Sequence, residues 1–148
     1  MIAAEVALVS QGDAAVPVLQ ALLDGSAKNG DGVPYRSLGL PLRCALEVAA
    51  RLGPKAKPLE QLLIADVEAG ESAAAVALGR IGHASNASIE CLDARMDSST
   101  APQFDMPFEA AGALIRLKAA AHPVVINVLS ESAKARSAWA TAERHLRT

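Results

Sequence analysis

Aromatic side chains are scarce in this chain: one Trp, one Tyr and two Phe among 148 residues. Sheets favour aromatic and β-branched residues, so a sheet-built core is disfavoured and Ala and Leu are left to fill a helical one. Cysteine is as rare, with Cys44 and Cys91 alone. Neither stands among further ligand residues, which argues against a metal site. Both lie in apolar helical stretches, where a thiol acts as a small buried hydrophobe. An excess of one charge is lacking too. Fourteen basic residues face 16 acidic ones, a formal net of -2, and so weak a field does not recruit nucleic acid or an anionic membrane. No run approaches the roughly 20 apolar residues of a membrane span. Glu5, with no basic residue ahead of the apolar stretch, makes the start a poor secretory signal. The expectation is a cytoplasmic protein with neither nucleic acid nor membrane as partner.

Catalytic patterns are missing as well. His83, His122 and His145 are scattered and none is followed by Glu. There is no glycine-rich phosphate loop and no HExxH pair. These gaps point away from an enzyme, a metal and a cofactor.

What the chain does have is a repeat. "AARLGPK" (49–55), "ALGRIGH" (77–83) and "ALIRLKA" (113–119) are near-copies. Aligned on the slot after each motif, Gly12, Gly53, Gly82 and Lys118 stand 41, 29 and 36 residues apart, among the periods of helical solenoids. Before the slot, four offsets are small and apolar in nearly every copy. They are Ala4, Ala45, Ala74 and Ala110; Ala7, Val48, Ala77 and Ala113; Leu8, Ala49, Leu78 and Leu114; and Gln11, Leu52, Ile81 and Leu117. That spacing makes one face of a helix, open to close approach by a neighbour. After the slot, Pro17, Pro58 and Pro123 share a column that marks a helix start. Val18, Leu59, Ser88 and Val124, then Leu22, Leu63, Leu92 and Val128, form the inner face of a second helix. The glycines supply a left-handed end to each first helix, and Lys118 in the fourth slot implies a longer or differently shaped turn. Arg51, Arg80 and Arg116 point outward near helix C-termini, where cations are favoured. Gly79 is expected to allow close helix packing.

"AVALGRIGHASNASIECL" (75–92) and "ALEVAARLGPKAKPLEQLL" (45–63) carry a resemblance to HEAT-like repeats of the phycobilisome-lyase type, extending more weakly over 1–24 and 106–131. The resemblance implies one domain over 1–148, an all-α, right-handed α-solenoid of about four helix pairs. The pairs fall near 2–24, 38–69, 71–96 and 106–132, with a capping helix at 134–146. It implies a non-catalytic scaffold or adaptor for another protein or peptide. The alternatives are an enzyme-associated subunit of the bilin lyase kind and a self-assembling structural unit.

Three sets of candidate residues follow. On the outward face of the second helices, the concave side in HEAT-like proteins, lie Lys57, Gln61, Asn86, Glu90 and His122. This mixed stripe is either a peptide-binding surface or a solvated helix face. The long connections 25–41 and 97–107 carry Tyr35, Arg36 and Phe104, which either meet a partner or cover an edge of their repeat. Trp139 falls on the apolar face of the capping helix with Ala135, Ala138 and Ala142. The third set is Ile2, Val6 and Val9. With Glu5 the only charge in residues 1–9, the first helix exposes aliphatic surface, as expected of a homodimer contact through the N-terminal pair. The rival is that segment 25–41 folds back over it.

Overall fold

The computed structural model describes residues 3–97 and 106–147. Regular structure among them is helical, apart from one isolated bridge between Lys28 and Pro34. In chain order the helices are α1 (Ala3–Gln11), α2 (Val16–Asp24), α3 (Leu40–Leu52), α4 (Glu60–Glu68), α5 (Ser72–Ile81), α6 (Asn86–Met96), α7 (Met106–Arg116), α8 (Pro123–Glu131) and α9 (Ala133–Arg147).

The repeated slot does what its glycines predict. Gly12, Gly53 and Gly82 have φ of +59°, +59° and +74°. Lys118 shares the positive φ, at +57°, but no 3-10 helix follows it and its connection, 117–122, is longer than 12–15 and 82–85, so the fourth turn is differently shaped, as expected. A side chain in this region costs about 1–2 kcal/mol. The turn offsets it by closing the helix end: Lys118 N–H donates to Ile115 O and Ala119 N–H to Leu114 O, both at 3.0 Å, the paired bonds that satisfy a helix's last carbonyls.

The connectors differ from expectation. Pro58 does not start an α-helix: Gly12–Ala15 and Gly53–Leu59 wind as 3-10 helix, and α4 begins only at Glu60. Pro54 and Pro58 have no N–H to donate to an α-helical ladder, which suits the second of these segments to tighter winding. As a result Ala3–Asp24 is one helical run of 22 residues, in which an 18-residue window has a mean hydropathy of 1.4, long and apolar enough by length and composition to cross a membrane. This revises the expectation that no segment reaches that size. Ala15, Leu19 and Leu23 of the run are fully buried in the core.

Packing follows two rows. α1 lies on α3, α3 on α5, α5 on α7 and α7 on α9; α2 lies on α4, α4 on α6 and α6 on α8. Cross-contacts of α2 with α3, α4 with α5 and α6 with α7 join the rows. In the second, third and fourth copies, all twelve first-helix positions picked out by the repeat are buried, from Ala45 to Leu117. The first copy breaks the pattern. Ala4, Ala7 and Gln11 are exposed and Leu8 is half-buried, while Glu5 is turned inward. As the end helix, α1 meets a row neighbour on one side only, and it is rotated to bring Glu5 against Cys44 of α3, whose thiol bonds to it. Val18 is likewise exposed, and Leu19 and Leu23 are buried one residue later.

Between α5 and α7 the approach is closest. A Cβ built on Gly79 would stand 2.8 Å from Ala113 Cα and 3.0 Å from Ala113 Cβ. Both are under normal van der Waals separation, so α7 occupies the space any side chain at 79 would need. At the far end α9 packs on α7 and α8. It buries Ala135 and Ala142, with Ala138 and Trp139 half-buried against the core. Trp139 is therefore a packing residue. Phe108 on α7 meets His145 on α9 edge-to-face, centroids 5.6 Å apart, which ties the same two helices.

Candidate functional site

The outward face of α4, α6 and the start of α8 gathers the mixed stripe. Lys57, Gln61, Asn86 and Glu90 are exposed, and His122 is half-buried. Neighbouring members meet across the row. His122 Nε2 lies 3.2 Å from Asn86 Oδ1, and His122 Nδ1 accepts from Val124 N–H at 3.3 Å, capping α8. With Nδ1 an acceptor, the ring proton sits on Nε2 and donates to Asn86. Both ring nitrogens are thus engaged, so His122 offers its ring edge rather than a free nitrogen.

Gln61 and Glu90 line one open groove of about 670 Å³ between α4 and α6, with Glu68 and Arg95 on its rim and Ile64 and Cys91 beneath. Arg95 donates to Glu68 O, the C-terminal end of α4, at 2.8 Å. Burial, with Glu68 nearby, pushes the Cys91 thiol up to about 11. It therefore stays protonated near neutrality and is a weak nucleophile. The groove offers amide, carboxylate and guanidinium groups around an apolar floor, suited to reversible contact with a peptide.

Of the connection residues, Tyr35 is exposed, in company with Val33, Leu38 and Leu40. Arg36 is not a free surface cation. Its guanidinium turns inward, donating to Leu23 O and pairing with buried Asp66 Oδ1 at 2.6 Å. It clamps the segment to the end of α2 and to α4, because Asp66 would otherwise be a buried charge without a partner. Phe104 and Ile2 lie outside the described residues. Val6 is 54% exposed and Val9 is half-buried against the core. Among the described residues no group of three His, Cys, Asp or Glu is placed to hold a metal ion.

Sequence reasoning missed the polar centre of the structure. Seven residues after each slot stand Leu19, Glu60, Ile89 and Val125, every one buried. Glu60 is the single polar member of that column, and this was the available signal. Its Oε1 accepts from Ser85 Oγ and, at 2.6 Å, from Ser88 Oγ. Its Oε2 lies 2.9 Å from His83 Nδ1. Ser85 also caps α6, accepting from Ser88 N–H at 3.1 Å. One carboxylate thus joins the start of α4 to the turn and helix start of the next pair. Burial works to raise the Glu60 carboxyl, and the bonds from Ser85, Ser88 and His83 outweigh it, leaving the group below the usual 4.5.

The pH dependence follows from that direction. A carboxyl depressed in the folded state stabilises it fully above the unfolded value near 4.5, and this is lost as pH falls through and below it. Urea unfolding of the wild type should weaken progressively below about pH 4.5. Glu60→Leu strands two hydroxyls and should cost about 1–3 kcal/mol at pH 7 while flattening the acid limb. An unchanged acid limb in Glu60→Leu would show that Glu60 does not carry it.

Comparison of the chain with protein-family models, with curated proteins and with solved structures finds no match.

Proposed function

We propose that the chain is a HEAT-like α-solenoid acting as a non-catalytic adaptor, which binds another protein or peptide along the outward face of α4, α6 and the start of α8. One observation carries the reading: Gln61 and Glu90 line one groove between α4 and α6, and Asn86 meets His122 across α6 and α8, so stripe residues of three helix pairs adjoin along the second row. The two-row packing, the recurring left-handed slot and the matching buried positions support the solenoid. The mixed charge of the stripe favours a polypeptide over a phosphate backbone, which calls for repeated Lys or Arg.

The test is capture from native cell extract on the immobilised full-length protein, followed by titration of the captured partner. Lys57→Glu combined with Glu90→Lys reverses two exposed charges and should change stability by only about 0.5 kcal/mol. It should weaken the partner at least tenfold. Undiminished affinity in this double variant would move binding off the stripe.

Self-association through the first helices is a second reading, favoured by Val6 at 54% and Val18 at 44% exposure. Val6 stays exposed with segment 25–41, the rival cover, in place. Light scattering after size exclusion should give twice 15.2 kDa for the wild type and 15.2 kDa for Val6→Glu. A wild type that remains monomeric at high micromolar concentration would eliminate the dimer.

A further inference from the structure

The arginine column has a consequence beyond helix capping. Arg51, Arg80, Arg116 and Lys118 line one open groove of about 690 Å³, floored by Gly53, Gly79 and other small or apolar residues, and among the described residues no Asp or Glu lines it. All four cations are exposed. Arg51 pairs with Glu47 at 2.8 Å on its own helix, and Glu109 lines an adjoining cleft together with Arg80 and Arg116. Among the described residues Arg80, Arg116 and Lys118 make neither an ion pair nor a side-chain hydrogen bond. Each helix C-terminus contributes about half a negative charge, so the ends of α3, α5 and α7 together with Glu47 and Glu109 still fall short of the four positive charges.

The geometry follows from the Gly79 contact. Arg116 Cδ lies 3.4 Å from where a Cβ on Gly79 would stand. The aliphatic stem of Arg116 therefore passes over the bare backbone of α5. Arg80 and Arg116 also line an adjoining cleft of about 230 Å³ that runs to Phe108 and α9.

We propose that this groove docks an acidic, extended segment of a partner protein, with guanidinium groups pairing to its carboxylates. Helices in contact stand about 8–10 Å apart, so the cations on α3, α5 and α7 span roughly 16–20 Å, the length of five or six extended residues. Acidic side chains at alternate positions would face the row. Forked guanidinium donors match carboxylates in paired bonds. A nucleic acid is the poorer fit, because four cations on a chain of net charge -2 fall short of the basic stripe that a phosphate backbone demands.

The probe is a fluorescein-labelled six-residue peptide of alternating glutamate and alanine, followed by anisotropy against the full-length protein in 50 mM NaCl. Saturable binding should weaken at least tenfold in 300 mM NaCl and at least tenfold in Arg80→Gln/Arg116→Gln. Lys118→Gly suits the positive φ at that position, so the variant should remain folded by circular dichroism and still bind at least threefold more weakly. Lys57→Glu, on the stripe and not among the residues that line this groove, should bind within threefold of wild type, which separates this proposal from the adaptor reading of the stripe. No binding, equal binding by the double arginine variant, an equal loss in Lys57→Glu, or tighter binding of a labelled 12-nucleotide oligothymidylate would each overturn it.

Discussion

Close approach of α5 to α7 at Gly79 is the constraint on which the rest depends. The Cα of Ala113 occupies the space that a side chain at 79 would need. The first-row helices are edged with Ala, and a small-residue edge sets a short interhelical distance that larger side chains would have to pry open. With that distance fixed, α7 sits deep enough to bury Ala110, Ala113, Leu114 and Leu117. The stem of Arg116 can then lie over α5, and the cations of three helices border one groove.

A core of Ala and Leu is weakly directional, because small residues tolerate several helix rotations. Two polar ties reduce that freedom. Glu60 binds the start of α4 to Ser85, Ser88 and His83 of the following pair, and Arg36 binds the long connection to Asp66. A buried carboxylate that loses its donors is heavily penalised, so each tie disfavours alternative registers more than it adds to net stability. The ties lie in neighbouring repeats and both end on α4, the helix that bears Gln61. The stripe is therefore built on the most constrained part of the second row.

Much of this was legible in the sequence where one mechanism repeats. The slot glycines, the buried alanines of three copies and the outward arginines follow from helical periodicity and from the conformation a helix needs at its end. The structure departs where a residue's environment depends on what is missing beside it. At the end of the stack α1 rotates to bury Glu5 and exposes Ala4 and Ala7, because periodicity carries no information on how many neighbours a helix has. The 3-10 winding of Gly53–Leu59 depends on local hydrogen-bond options around Pro54 and Pro58 rather than on apolar spacing. Arg36 read as a loop cation, but its partner, Asp66, is thirty residues away. Lys118 adopts the left-handed slot although the chemistry there favours glycine. The capping bonds to Ile115 and Leu114 offset that preference, and a charge is left at the rim of the groove.

The helix contact can be tested by the sign of one free energy. In an open helix interior, Gly→Ala stabilises by about 1 kcal/mol. At Gly79 the added methyl meets the backbone of α7, an overpacking that costs about 1–3 kcal/mol. Urea unfolding of Gly79→Ala at neutral pH should therefore show net destabilisation. A variant more stable than wild type by about 1 kcal/mol would show that α5 and α7 do not meet at this distance, and the two-row packing would have to be redrawn.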